Sequence, residues 1–199
     1  MTAPIFYLLA GPNGAGKSTL YKALTALGTI DPAAKFVNAD LYEAANLQSV
    51  ANPLKRSTLA RDWADARRAA LLKQKESFVS ETVFSHESKI ALIEEAKLHG
   101  FQVLLFVVGL DDPTKLLARV ANRVKEGGHD VPADRILARY PRTLSNLKQA
   151  VRIASAAFIY DSNEDLHVSH ELVALCVGDV THPMTSALPK WAKAVLGLN

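Results

Sequence analysis

The sequence contains one cysteine, two methionines and few aromatic residues, and it has no long apolar run. Cys176 cannot close an internal disulfide by itself, so a small cross-linked scaffold is excluded and a reducing cytoplasm is the expected location. The longest apolar stretches, such as Val103 to Val108, fall far short of the ~20 residues that a membrane helix needs. Residues 1–10 lack a cationic start and run straight into a glycine-rich loop, which marks them as a core strand rather than a signal peptide. Low-complexity tracts, internal repeats and a dividing linker are also missing. The net charge of +3 is too mild to imply nucleic acid. What is present is 199 residues at 49% hydrophobic content, enough for a single domain over 1–199 with a real core.

The most informative stretch is "LLAGPNGAGKSTL", residues 8–20, which fits G-x-x-x-x-G-K-[ST]. A strand-like apolar run, Ile5 to Leu9, precedes it; Leu20, Ala23, Leu24 and Leu27 follow at helical spacing. Gly11, Gly14 and Gly16 lack Cβ atoms, so backbone N–H groups can turn inward and a phosphate can approach them. The dipole of the new helix adds positive potential at that spot. The candidate nucleotide-binding set is Gly11, Asn13, Gly14, Ala15, Gly16, Lys17, Ser18 and Thr19. Lys17 would meet the β- and γ-phosphates of ATP, and the Ser18 hydroxyl would take one position on Mg²⁺. The alternative is a glycine-rich turn that binds nothing.

Strand-like segments at 4–10, 35–39, 77–82, 101–109 and 156–160, with a weaker one at 171–177, alternate with helical patterns. The latter fall at 17–28, 57–75, 86–99, 113–126, 133–153 and 186–197. This alternation predicts a mostly parallel sheet with helices on both faces, and ligands outside the carboxyl ends of its strands. Two acids fall on that rim. Asp40, closing "KFVNAD", is placed to accept a proton from an attacking hydroxyl, or else to cap the next helix. Glu81, closing "FVSET", is placed to hold the Mg²⁺ water shell or orient substrate, or else to pair with a nearby cation. Thr82 and Ser85 are substrate-contact or helix-cap candidates.

From Lys115 to Arg152 basic residues are dense. Arg119 and Arg123 lie four apart on one helical face, and Arg135, Arg139 and Arg142 recur at four and three on the next. Between them stands "GGHDVP", two glycines and a proline suited to a lid over phosphates. The lid spans about 113–142, His129 being either a phosphate contact or an ornament of it. The alternative is a solvated basic face. Histidines show no metal-ligand spacing with Cys176, so no zinc site is expected. Trp63 and Trp191 read as packing residues, and "PKWAKAVLG" as a docking helix capped by Gly197.

Taken together, "GPNGAGKST", "VNAD", "SETVFS", "GGHDVPADRILARYPRTLSNL" and "IYDSN" resemble the zeta-toxin-type P-loop kinases, in particular their compact chromosomal branch, over roughly residues 4–163. The resemblance implies a three-layer kinase fold with a helical lid and transfer of the ATP γ-phosphoryl group to a hydroxyl. UDP-N-acetylglucosamine is the acceptor of the characterised members. It implies Lys17 as the loop lysine, Asp40 as the catalytic aspartate, and Glu81 and Thr82 as the strand-end acid and its threonine. Arg119 or Arg123 and Arg139 or Arg142 match the lid arginines, the first pair as catalytic and the second as nucleotide contacts. In place of the family's acidic substrate contact before the third strand, "DWADARRAALLKQ" brings Arg67 and Arg68. Two rival readings use the same motifs. One is a kinase of nucleosides or nucleic-acid ends, against which the sparse aromatics weigh. The other is a slow ATPase switch that works through a partner, an antitoxin being the partner the resemblance suggests.

Overall fold

The computed structural model describes residues 2–126, 131–162 and 170–198. Its strands are β1 (Ile5–Ala10), β2 (Lys35–Val37), β3 (Phe78–Thr82), β4 (Gln102–Gly109), β5 (Ala156–Asp161), β6 (Glu171–Val177) and β7 (Val180–Pro183). Its helices are α1 (Lys17–Ala26), α2 (Ala39–Asn46), α3 (Pro53–Gln74), α4 (Ser88–Leu98), α5 (Pro113–Lys125), α6 (Ala133–Ile153) and α7 (Lys190–Leu196). The strands form one sheet in the order β2-β3-β1-β4-β5-β6-β7. Pairing is parallel from β2 through β5 and antiparallel from β5 to β7.

The central strands are apolar at nearly every position because both of their faces are covered. On β1, Phe6, Leu8 and Ala10 face one core while Tyr7 and Leu9 face the other. The first core is closed by α3, α4, α7 and the end of α6; the second is closed by α1, α5 and the start of α6. This is a three-layer α/β arrangement. Each fully buried Phe of the first core, such as Phe6 stacked on Phe78 at 4.3 Å, contributes roughly 1.5–3 kcal/mol through its removal from water.

Helix α6 links the two faces by crossing the carboxyl ends of the strands. Tyr140 OH donates to the carbonyl of Leu110 after β4 (2.6 Å), Thr143 Oγ1 to Val83 (3.1 Å), and Asn146 Nδ2 to Phe84 (3.0 Å). Both of the last two carbonyls follow β3. Three polar side chains thus satisfy backbone acceptors that the strands leave at their ends. The helix consequently roofs the rim where ligands are expected.

Three elements depart from the sequence reading. The helix expected after Asp40, for which the sequence shows no bounds, is α2, and it starts earlier, at Ala39; its eight residues are too few to display a helical period. Strand β7 also went unseen, since it pairs with β6 across the turn Gly178-Asp179 and presents mostly polar or exposed residues. The C-terminal helix starts at Lys190, later than 186, with Trp191, Ala192 and Val195 buried and Gly197 as its left-handed cap. Trp191 packs on Gly109, where a Cβ would lie 2.5 Å from the indole, and its Nε1 donates to Asp161 (2.7 Å). Trp63 stacks on Tyr42 at 3.9 Å and joins α3 to α2. The lid glycines Gly127 and Gly128, together with His129, lie outside the described residues. Among the described residues, no helix is long and apolar enough to cross a membrane.

Candidate active site

The glycine loop joins β1 to α1 in the centre of the sheet, and its glycines are there for close approach. Gly11 has φ +152°, and a Cβ on it would lie 2.1 Å from the carbonyl oxygen of Val108 in β4. Gly14 (φ +81°) would set a Cβ 2.8 Å from the carbonyl of Leu116 in α5. Gly16 (φ +94°) is the left-handed residue that starts α1. Ala15 is buried in the second core and fastens the loop from beneath. Asn13 is buried as well, and its Oδ1 has no hydrogen-bond partner among the described residues. Thr19 is exposed beside the loop.

Lys17 is 6% exposed and donates to the carbonyl of Pro12 at 3.0 Å. Burial holds its pKa below the ordinary lysine value; Glu81 and then Asp40 oppose that shift, and Arg123 adds to it. Glu81 is the hub of the site. Its carboxylate lies 3.9 Å from Lys17 Nζ, accepts from Ser18 Oγ at 3.0 and 3.1 Å, and accepts from Asn38 Nδ2 at 3.2 Å. The pairing with a nearby cation that the sequence offered for Glu81 is thus present, and its partner is the loop lysine.

Asn38 decides the reading of Asp40. The residue that caps α2 is Asn38, whose Oδ1 accepts from the N–H groups of Asp40 (2.9 Å) and Leu41 (3.2 Å). Asp40 stands in the first turn, exposed, with its carboxylate on the wall of a cleft. The helix-cap alternative for Asp40 is excluded. Thr82 and Ser85 cap no helix either: Thr82 Oγ1 accepts from the N–H of Phe84 (3.2 Å), and both residues line the same cleft. His86 and Ser88 bond to each other at 3.0 Å at the start of α4.

Two clefts meet at the loop. The larger, about 530 Å³, is walled by α2, α3, the segment after β3 and α6, and holds Asn13, Asp40, Thr82 and Ser85. The smaller, about 420 Å³, lies between the loop and α5 and holds Gly14, Gly16, Ser18, Thr19 and Arg119. Lys17, Glu81 and Arg123 line both. The four arginines that the sequence reading assigned to a lid divide between the clefts in a way the sequence did not show. Arg119 serves the smaller cleft, where it is tied to Ser162 through that residue's Oγ (3.2 Å) and carbonyl. Arg123 stands at the junction, and Arg139 and Arg142, expected on the nucleotide, line the larger cleft. Burial lowers the Arg139 pKa, and neighbouring arginines add to the effect.

Two contributors escaped the sequence reading. Asn38 was visible as part of "VNAD", but its double bonding to α2 and Glu81 was not. His170 lies ahead of β6, far along the chain, yet its ring is set against the backbone of Ala15 and Gly16. Burial lowers its pKa, and nearby Arg119 acts in the same direction. No local pattern marks it.

Sequence and fold comparisons bear on the family and the fold. A 146-residue stretch is 32% identical to an uncharacterised protein of Haemophilus influenzae, covering 68% of this chain and 91% of that one. The AvrRxo1-ORF1:AvrRxo1-ORF2 complex, solved with sulphate ions, superposes with a TM-score of 0.71 at 20% identity over 92% of this chain. This chain spans 61% of that protein's length. The same complex solved with ATP gives 0.63. The PezAT chromosomal toxin–antitoxin system of Streptococcus pneumoniae gives 0.63 at 17% identity, over 81% of this chain and 69% of that one. The fold is the P-loop kinase fold that the sequence predicts. With the zeta toxin family model matching residues 1–170, the loop, the rim acids and the arginine-bearing helices all lie within the matched region, and the chain belongs to the zeta toxin family.

Proposed function

We propose that the protein is an ATP-dependent kinase that moves the γ-phosphoryl group to a hydroxyl of a small molecule. One observation carries the reading: Lys17, Glu81 and Arg123 line both clefts, so a nucleotide in the smaller and an acceptor in the larger would meet between them. Lys17 and Arg123 then supply positive charge where the phosphoryl oxygens pass, which is the main demand of phosphoryl transfer. Asp40 faces the acceptor side and takes the hydroxyl proton. Arg119 holds the nucleotide side, while Arg139 and Arg142 hold the acceptor. Thr82, Ser85 and the unpartnered Asn13 Oδ1 offer hydrogen bonds that orient it.

Mg²⁺ fits the residues present. A hydroxyl and a carboxylate already in contact, Ser18 and Glu81, are hard oxygen donors of the kind this ion takes alongside water and phosphate oxygens. Those two residues would hold it, and the ion would neutralise charge on the phosphates.

UDP-N-acetylglucosamine is the first acceptor to test, on the strength of the family resemblance. The toxin–antitoxin character of PezAT supports a search for a protein partner of this chain as well. Incubation with Mg·ATP and a panel of nucleotide sugars, sugar phosphates and nucleosides, read by mass spectrometry, is expected to show one product heavier by a phosphoryl group. ATP consumed without any phosphorylated product, across the panel and a whole metabolite extract, would leave only the slow ATPase reading.

A further inference from the structure

The larger cleft also holds a second gathering of charge, on α3 and α4, that the proposed phosphoryl transfer does not use. Arg61, Asp65 and Arg68 recur at four and three along α3, so they share the helix face that lines the cleft, and Lys89 reaches the same place from α4. Arg68 is only 7% exposed. Its guanidinium donates to Ser80 Oγ (3.2 Å), which is itself bonded to the carbonyl of Val37, and it pairs with Asp65. Lys89 Nζ lies 3.4 Å from the same Asp65 oxygen, and the Lys89 side chain is 23% exposed. Arg61 bonds only to its own helix, at the carbonyl of Ser57 and Thr58 Oγ1, and has no carboxylate partner among the described residues.

A solvated basic helix face would spread its charges into water at little cost. Here Arg61, Arg68 and Lys89 line one concave wall, where Asp65 pairs with the last two only, and the like charges together with the lost hydration of Arg68 and Lys89 disfavour the empty state. Burial holds the Lys89 ammonium below its usual pKa, with Arg68 and Arg61 adding to the shift. An entering anion would reverse that cost. The excess of two positive charges matches a phosphomonoester, which carries about −1.5 to −2 near neutral pH, better than a carboxylate or a phosphodiester. Guanidinium groups braced by Ser80 and Asp65 also present planar donors suited to phosphate oxygens.

We propose that Arg61, Arg68 and Lys89 form an anion subsite in the larger cleft that holds a terminal phosphomonoester of the acceptor. The acceptor is then a small molecule bearing a phosphomonoester, which UDP-N-acetylglucosamine lacks, and the enzyme adds a further phosphoryl group to it. This deepens the kinase reading and rests on it for the identity of the cleft.

The test is calorimetric titration of methyl phosphate into protein saturated with Mg²⁺ and a non-hydrolysable ATP analogue, at low salt and pH 7.5. Binding is expected in the wild type, with a loss of about tenfold in each of Arg61→Met and Lys89→Met, the usual worth of one charged hydrogen bond. Arg67→Met removes the same charge from α3 at a position outside the cleft wall, so it should bind as the wild type does. Dimethyl phosphate and acetate should bind at least tenfold more weakly than methyl phosphate. No binding to the wild type, an equal loss in Arg67→Met, or dimethyl phosphate binding as tightly as the monoester would overturn the proposal. Failure of the wild type to bind the ATP analogue would sink the kinase reading alone, because Lys89-dependent methyl phosphate binding would still stand. Arg61 is exposed, so its variant keeps the test usable if the Lys89 variant folds poorly.

Discussion

Replacing Asp40 with asparagine separates chemistry from architecture at this site. The side chain keeps its shape and most of its hydrogen bonding but cannot accept a proton. The structural cost is small, because Asn38 caps α2 and would remain in place. What the helix loses is an exposed acid in its first turn, worth roughly 0.3–1 kcal/mol through the helix dipole. Such a loss leaves a domain of ordinary stability folded. Nucleotide affinity should also survive, since Asp40 ranks behind Glu81 among the acids that sustain the Lys17 charge and it does not line the smaller cleft. The rate of transfer should fall by about 10²–10⁴, the range typical of a general base. Loose phosphoryl transfer places the expectation toward the lower end of that range. Single-turnover transfer from Mg·ATP to the identified acceptor, run beside a fluorescent-nucleotide binding assay and urea unfolding, measures all three quantities. Transfer at the wild-type rate would refute the role given to Asp40; a variant that unfolds would refute the assignment of the cap to Asn38.

Glu81→Gln and Lys17→Met should be strongly non-additive. At 3.9 Å and an effective dielectric of about 20, the Coulomb attraction is about 4 kcal/mol, and desolvation of both groups lowers the net value. A double-mutant cycle by urea denaturation is expected to give a coupling of about 1–3 kcal/mol, whereas additivity within about 0.5 kcal/mol would show that the pair is not formed in solution. Tyr140→Phe should carry a signature in pH. Burial raises the Tyr140 phenol to about 12, with Asp111, Asp112 and Asp161 adding to it, so the folded state holds this proton more tightly than the unfolded chain does. The stabilisation is complete below the unfolded value of about 10 and is lost as pH rises toward 12. The gap in urea midpoint between wild type and variant should therefore narrow over that interval, and a constant gap would mean that the phenol–Leu110 bond does not anchor α6.

Local chemistry made much of this protein readable in one dimension. The glycine loop could be recognised because φ values such as +81° and +94° at Gly14 and Gly16 demand glycine wherever the chain goes next. The parallel strands could be recognised because burial on two faces writes a continuous apolar run. Asp40 and Glu81 stood out because strand ends and ligand sites coincide in such sheets. The tertiary structure alone decided how those residues are used. That Asn38 rather than Asp40 caps α2, and that the same Asn38 steadies Glu81, depends on a contact across 43 positions of sequence. The division of the arginines of α5 and α6 between two clefts depends on α6 crossing the rim, fixed by bonds from Tyr140, Thr143 and Asn146 to carbonyls 30 to 62 residues away. The meeting of Arg68 with Lys89 around the Asp65 carboxylate likewise joins two helices that are separated in the chain by a strand. Backbone conformation and burial pattern are properties of neighbours in sequence, so they leave a local record. Electrostatic partnership depends on distance in space, and only the folded chain sets that distance.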